Sequence, residues 1–169
     1  SNLFTFGYFD DMDHNSSSRF THDLVIYEGE ALPGRYRGRL FGVDPVTGKI
    51  VLSEVSRNRS SFRTRDINRP VKTDDQWFRP VNIEMGPGGG IYVADFHEQR
   101  IDPSSHYAGR VARGTGRIYR IVGRKTPKAR PRDFSRLNSA SLVALFSSPD
   151  RWVRHQVSRL LGERRDEAT

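Results

Sequence analysis

Four potential metal-binding side chains fall within five positions near the start of the chain: Asp10, Asp11, Asp13 and His14. Carboxylates this close together suit a hard cation such as Ca²⁺, which takes oxygen ligands. Their spacing is not that of an EF-hand loop, which needs a glycine and a later glutamate at fixed positions. A solvated acidic loop is the competing reading, and the missing positions favour it. Two histidines, His97 and His106, lie in the long polar stretch from Phe96 to Arg110. Long loops on a β scaffold commonly carry function, so both could line a substrate mouth or act as a general base. A loop histidine is more commonly a hydrogen-bonding surface residue, and that reading is favoured. Gly86-Pro87-Gly88-Gly89-Gly90 lacks the lysine and following helix of a phosphate loop, so it is a turn. With no cysteine in the chain, disulfides, thiolate metal sites and cysteine nucleophiles are excluded.

The elements that would position these groups are strands. Val81, Ile83 and Met85 alternate with Asn82 and Glu84, the period of a half-buried strand. After the glycine-rich turn, Ile91-Tyr92-Val93-Ala94 is a continuous apolar run, expected to be an inner strand covered on both faces and closed by Asp95. Leu3–Phe9, Leu24–Tyr27, Arg39–Asp44 and Lys49–Val55 read as further strands, with Pro45–Gly48 as a hairpin turn and Ser61–Ile67 as an outer strand. Asp44 and Asp95 end equivalent strands, where each is expected to accept hydrogen bonds from the next turn's backbone.

A repeat underlies this pattern. Gly38–Asp44 matches Gly89–Asp95 at a constant offset of 51 residues, and Thr47-Gly48-Lys49-Ile50 returns as Thr115-Gly116-Arg117-Ile118 after a longer loop. Several short strands recurring at such a period are the signature of propeller blades. A closed propeller needs roughly 4–8 blades; residues 1–122 supply about two. The expected fold is therefore mainly β, a partial β-propeller followed by a short helical hairpin.

Charge changes along the chain. Residues 1–99 hold 12 basic against 14 acidic side chains, and residues 100–169 hold 16 against 6. Basic residues here are not interleaved with aromatics, so a nucleic-acid partner is not expected. No apolar run is long enough to span a membrane. Residues 123–133 form a basic, proline-containing linker. From 134 to 169 two helices are expected, the first capped by Asn138 or Ser139, the second by Ser148 with Pro149 at its first position. Trp152, Val153, Gln156, Val157, Leu160 and Leu161 share one face of the second helix, which cannot bury itself alone and looks like the first unit of an α-solenoid.

At Asp75–Val81, Gly86–Asp95, Glu98–Asp102 and Thr115–Arg120 the sequence resembles the membrane-bound dehydrogenases of planctomycete-type bacteria. These are large secreted proteins similar to quinoprotein glucose/sorbosone dehydrogenases. The resemblance implies a β-propeller, HEAT-like helical repeats and a haem-binding cytochrome c domain elsewhere in a longer parent. It also implies a periplasmic or secreted location, a sugar or polyol substrate, and pyrroloquinoline quinone with Ca²⁺ as cofactors. Arg79 falls on a position that holds a quinone carboxylate in such relatives, a pairing that suits a guanidinium fork. Otherwise Arg79 caps the strand start or pairs with Asp74 or Asp75. A second cofactor contact, a lysine in those relatives, falls here on Val46.

Overall fold

The structure is a computed structural model and describes residues 22–99, 104, 107–109, 113–126 and 132–164. The chain is mainly β, with two antiparallel sheets of four and three strands followed by two short helices. The first sheet runs β1 (Asp23–Ile26), β2 (Leu40–Asp44), β3 (Lys49–Asn58), β4 (Ser61–Val71), each strand hydrogen-bonded to the next in sequence. The second is a shorter meander of β5 (Pro80–Met85), β6 (Ile91–Asp95) and β7 (Arg117–Ile121). Among the described residues the sheets close no ring. The strand expected over Leu3–Phe9 lies outside those residues.

Turn chemistry sets the register. Gly48 sits at φ +63° against the Phe78 carbonyl, a left-handed conformation with no room for a side chain. Asp44 fixes the same turn, accepting hydrogen bonds from the Val46 and Thr47 N–H groups at 3.1 Å each and from the Thr47 hydroxyl at 2.6 Å. The sequence repeat is also a structural one. Leu40 pairs with Ser53 and Asp44 with Lys49, just as Ile91 pairs with Ile121 and Asp95 with Arg117.

The core lies between the sheets, where β5 packs on β1 and β2. The first sheet contributes Val25, Phe41, Val43, Ile50 and Leu52, and the second Ile83, Met85, Ile91 and Val93. Each such side chain, once buried, stabilises the fold by about 1.5–3 kcal/mol. The register gives this interface a direction. Ile91 and Val93 are equivalent to Leu40 and Gly42, which lie on the face of β2 opposite Phe41 and Val43. Equivalent strands therefore meet through opposite faces, head to tail.

Two strands depart from expectation. In β6 only Ile91, Val93 and Asp95 are buried; Tyr92 and Ala94 on the outward face are half-buried, because no third sheet covers them among the described residues. The outer strand β4 extends to Val71 and is almost wholly exposed, forming with the far half of β3 a ribbon that projects beyond β2. Arg63, Arg65, Arg69, Pro70 and irregular pairing near Leu52 guard this edge against further strand pairing.

Helix α1 (Ser139–Ala144) is capped by Asn138, whose side chain accepts from the Ser141 N–H at 2.8 Å. Helix α2 (Arg151–Arg164) begins later than expected. Asp150 caps it, accepting from the Trp152 N–H at 2.9 Å, while Ser148 only receives the Asp150 N–H. Val153 and Val157 bury the expected stripe against Leu142 and Phe134. Trp152 reaches both this cluster and the sheet core. The helical pair is thus docked rather than free. The Arg151 N–H donates to the Glu28 carbonyl at 3.1 Å, and Arg154 pairs with the Glu28 carboxylate at 2.9 Å. The start of the linker is likewise held, since the Gly123 N–H and the Thr126 hydroxyl both donate to the Ala31 carbonyl.

Candidate functional site

The approach to β5, the exit of β6 and the start of β7 lie at one end of the second sheet. They gather Asp75, Trp77, Arg79, Asp95, His97 and Arg117. Asp95 organises the group from a buried position. Its Oδ1 accepts the Arg79 N–H at 2.8 Å and the His97 N–H at 2.9 Å, so one carboxylate oxygen ties two loops together. The second contact is the two-residues-on Asx geometry that Asp44 also makes.

His97 follows in a left-handed backbone conformation, φ +49°. A residue with a Cβ pays for that conformation, and such outliers gather at functional sites. Its ring lies 5.6 Å from the Trp77 ring and its Nε2 is 3.3 Å from Asp75 Oδ2. Arg117 meets the same Asp75 oxygen at 3.3 Å and Asp95 Oδ2 at 3.8 Å. The Trp77 N–H, donating to the Asp75 carboxylate at 2.9 Å, lowers that acid below its ordinary range, with His97 and Arg117 adding to the effect.

Asp95 Oδ2 and His97 Nδ1 are both buried without a hydrogen-bond partner. The comparison with the first sheet accounts for the oxygen. There the Thr47 hydroxyl satisfies Asp44, but the equivalent Thr115, displaced by the longer loop, donates instead to the His97 carbonyl at 3.3 Å. Chemically, Asp75 can fix the His97 tautomer as an acid does for a general base. The other ring nitrogen faces inward, so proton exchange with a bound molecule requires the loop to shift.

The Arg79 guanidinium donates to the Phe78 carbonyl at 2.9 Å and the Gln99 carbonyl at 2.6 Å. It lies beside Gly48, so the turn carrying Val46 and the end of the second sheet share one neighbourhood. Val46 is 63% exposed. Asp75, one of the two acids considered as a partner for Arg79, instead holds His97 and Arg117. Asp10, Asp11, Asp13, His14 and His106 lie outside the described residues. Among the described residues no group of three His, Asp or Glu could hold a metal ion.

Sequence reasoning singled out Arg79 and His97 but passed over Asp75, Trp77 and Arg117 as site members. The available signal was the repeat itself, which puts Arg117 on the rung of the strand-ending Asp95. Beside the cluster a cavity of about 410 Å³ opens on the outward face, lined by Val81, Ala94, Phe96 and Ile118 with Asp95, Glu98 and Arg117. A second, of about 340 Å³, lies along β1 and β5 and includes Arg151 and His155 of α2. Among the described residues no helix is long and apolar enough to cross a membrane.

Residues 5–125 match the family described as Domain of unknown function (DUF7133). No curated protein and no solved structure matches the chain.

Proposed function

The chain belongs to the DUF7133 family, and from that premise we propose that it forms two neighbouring blades of a β-propeller with the start of a HEAT-like helical repeat. The parent would be a quinoprotein-like dehydrogenase that oxidises a sugar or polyol and passes electrons to a c-type haem elsewhere in a periplasmic or secreted protein. The observation that carries this reading is the register match between the two meanders, joined head to tail as blades of a propeller are. Alcohol oxidation needs a base for the hydroxyl proton; in the dehydrogenases this chain resembles that histidine lies in a blade outside these residues, and His97, held by Asp75, would shape the substrate mouth.

The residues do not by themselves make a site for pyrroloquinoline quinone. Two backbone carbonyls anchor the Arg79 fork, and Val46 supplies no charge where a second cation is expected. A quinone would need cations from the rest of the parent. The same anchoring favours a second reading, a non-catalytic propeller module that binds a carbohydrate or protein. In that reading Arg79 and His97 stiffen the loop end as a recognition platform.

Calorimetric titration of the full-length parent with pyrroloquinoline quinone and Ca²⁺, alongside Arg79→Ala, separates the two. Binding that weakens at least about tenfold, or about 1.4 kcal/mol, in the variant supports the dehydrogenase with Arg79 on the cofactor. Binding unchanged by the substitution keeps the dehydrogenase and removes Arg79 from the site. Absence of binding eliminates the quinoprotein mechanism and leaves the recognition module.

A further inference from the structure

The two sheets are repeats that differ by one strand. β1, β2 and β3 have equivalents in β5, β6 and β7, but among the described residues no strand pairs with the outer edge of β7 as β4 pairs with β3. The two outer edges also differ in character. β4 carries Arg63, Arg65, Arg69 and Pro70, which discourage a further strand. β7 has no proline, and its pairing with β6 runs without a register shift. Its two arginines reach back over β6, Arg117 towards Asp95 and Asp75, and Arg120 to within 5.9 Å of the Tyr92 ring centre. Ile118, Tyr119 and Val122 stay exposed. A regular, apolar and unguarded edge is a template for one more strand. It lies at the rim of its sheet, so further blades packed face to face would leave it open.

The sequence holds a segment that fits. Asp23–Ile26 pairs with β2 as Asn82–Met85 pairs with β6, so Asp23 stands where Asn82 stands, an offset of 59 residues. The same offset lays Asn2–Met12 on β4, and within it the apolar run from Leu3 to Phe9. The chain thus carries two outer-strand segments and two meanders, and β4 already serves the first. Direction and reach agree. A strand antiparallel to β7 runs towards the end of the sheet where Pro80 pairs with Asp95 and Asp95 with Arg117. His22 lies at that end, its Nδ1 donating to the Val81 carbonyl at 2.7 Å. Three strand spacings, about 15 Å, separate β5 from a strand beyond β7. Residues 10–21 can cover about 40 Å when extended.

We propose that residues 3–9 of this chain complete the second sheet as its fourth strand, antiparallel to β7. Carried over from β3 and β4, the register sets Phe6 against Val122, Gly7 against Ile121 and Phe9 against Arg120. Phe6 and Val122 then stand where Arg65 and Glu54 form an ion pair in the first sheet. An apolar pair replaces a charged one, both partners changing together. The proposal rests on the two sheets being repeats of one unit, as the propeller reading holds, and on none of the oxidation chemistry.

The absence of native cysteine makes the test direct. Mild oxidation of the full chain carrying Phe6→Cys and Val122→Cys should close a disulfide within one chain, read on non-reducing gels. Closure should be several-fold faster than with Thr5→Cys and Val122→Cys, whose first cysteine falls on the other face of the strand. In the unsubstituted chain, β7 amides facing away from β6 should be protected from hydrogen exchange. Removal of residues 1–12 should cut that protection at least tenfold and leave β2 unchanged. Equal closure by both pairs, or exchange in β7 indifferent to the deletion, overturns the proposal. A disulfide that joins two chains instead gives the edge to another copy and overturns residues 3–9 of the same chain as its occupant. Neither readout depends on quinone binding, and failed quinone binding leaves this strand standing.

Discussion

Asp44 and Asp95 occupy the same rung of the two sheets and have diverged in what they hold. Asp44 keeps all its hydrogen bonds within its own turn. Asp95 holds the Arg79 N–H from the neighbouring strand approach and the His97 N–H from the loop that follows. One position has thus passed from turn cap to organiser of a charged cluster. Charge-assisted bonds to buried carboxylates contribute about 1.5–3 kcal/mol each. Asp44→Ala is expected to lower stability by about 1–3 kcal/mol, and Asp95→Ala by about 2–4 kcal/mol. Only Asp95→Ala should also change Trp77 fluorescence, because it alone releases the His97 backbone beneath that ring. Urea melts followed by fluorescence and circular dichroism check both outcomes.

Asp150 sits at the start of α2 with its carboxyl pushed above the usual aspartate range, chiefly by burial and against the pull of the Trp152 and Val153 N–H groups. A carboxylate raised in the folded state contributes stability that is complete below the unfolded value, about 3.9. That contribution is lost as pH rises through the raised folded value. Asparagine keeps the capping oxygen and carries no charge. Asp150→Asn should therefore match the parent chain in acid and exceed it near neutrality, with the gap opening as pH rises. Denaturation series from pH 3.5 to 7.5 test the sign, and a gap that opens towards acid would refute it.

Much of the sheet framework could be read from residue types. Alternation in Val81–Met85, the Pro45–Gly48 turn and the 51-residue offset place β2, β3, β5 and β6 from residue types alone. The direction of the interface was not readable that way. Val25 and its equivalent Glu84, or Ile50 and Ile118, match in register yet differ in burial, and only the packing of β5 on β1 and β2 decides which face is inside. The site was legible only in part for a related reason. Asp75, His97 and Arg117 are far apart in sequence, and no local pattern announces that three loop segments converge. The helix start was misplaced because Ser148-Pro149 and Asp150 each carry capping chemistry, and tertiary contact with Glu28 chose the later one.

His97 offers a separate check on the strained loop. A glycine there removes the ring but accepts φ +49°, whereas alanine removes the ring and keeps the strain. His97→Gly should accordingly be more stable than His97→Ala by about 1 kcal/mol, reversing the usual order of these residues. Comparison of the two unfolding free energies decides it. Alanine equal to or above glycine would show that the backbone at this position relaxes without penalty.

The helical pair is held to the sheets by a short set of contacts that can be removed one at a time. Trp152 packs against both clusters and against the Phe134 ring at 5.9 Å. Arg154 bridges the Ser148 carbonyl and the Glu28 carboxylate across 126 residues of sequence. The ion pair is partly exposed, so its direct contribution is small, within about 1 kcal/mol. The tryptophan supplies the larger share, about 3 kcal/mol for truncation to alanine. Trp152→Ala should thus split unfolding into two steps, with amides of α1 and α2 exchanging well before those of β2, β3 and β6. Arg154→Ala should leave a single step at a slightly lower midpoint. Hydrogen exchange read by mass spectrometry distinguishes these outcomes. If the helices of Trp152→Ala keep the same protection as the sheets, their attachment comes from the backbone bonds at Glu28 and Ala31, and the tryptophan fills space without joining the two units.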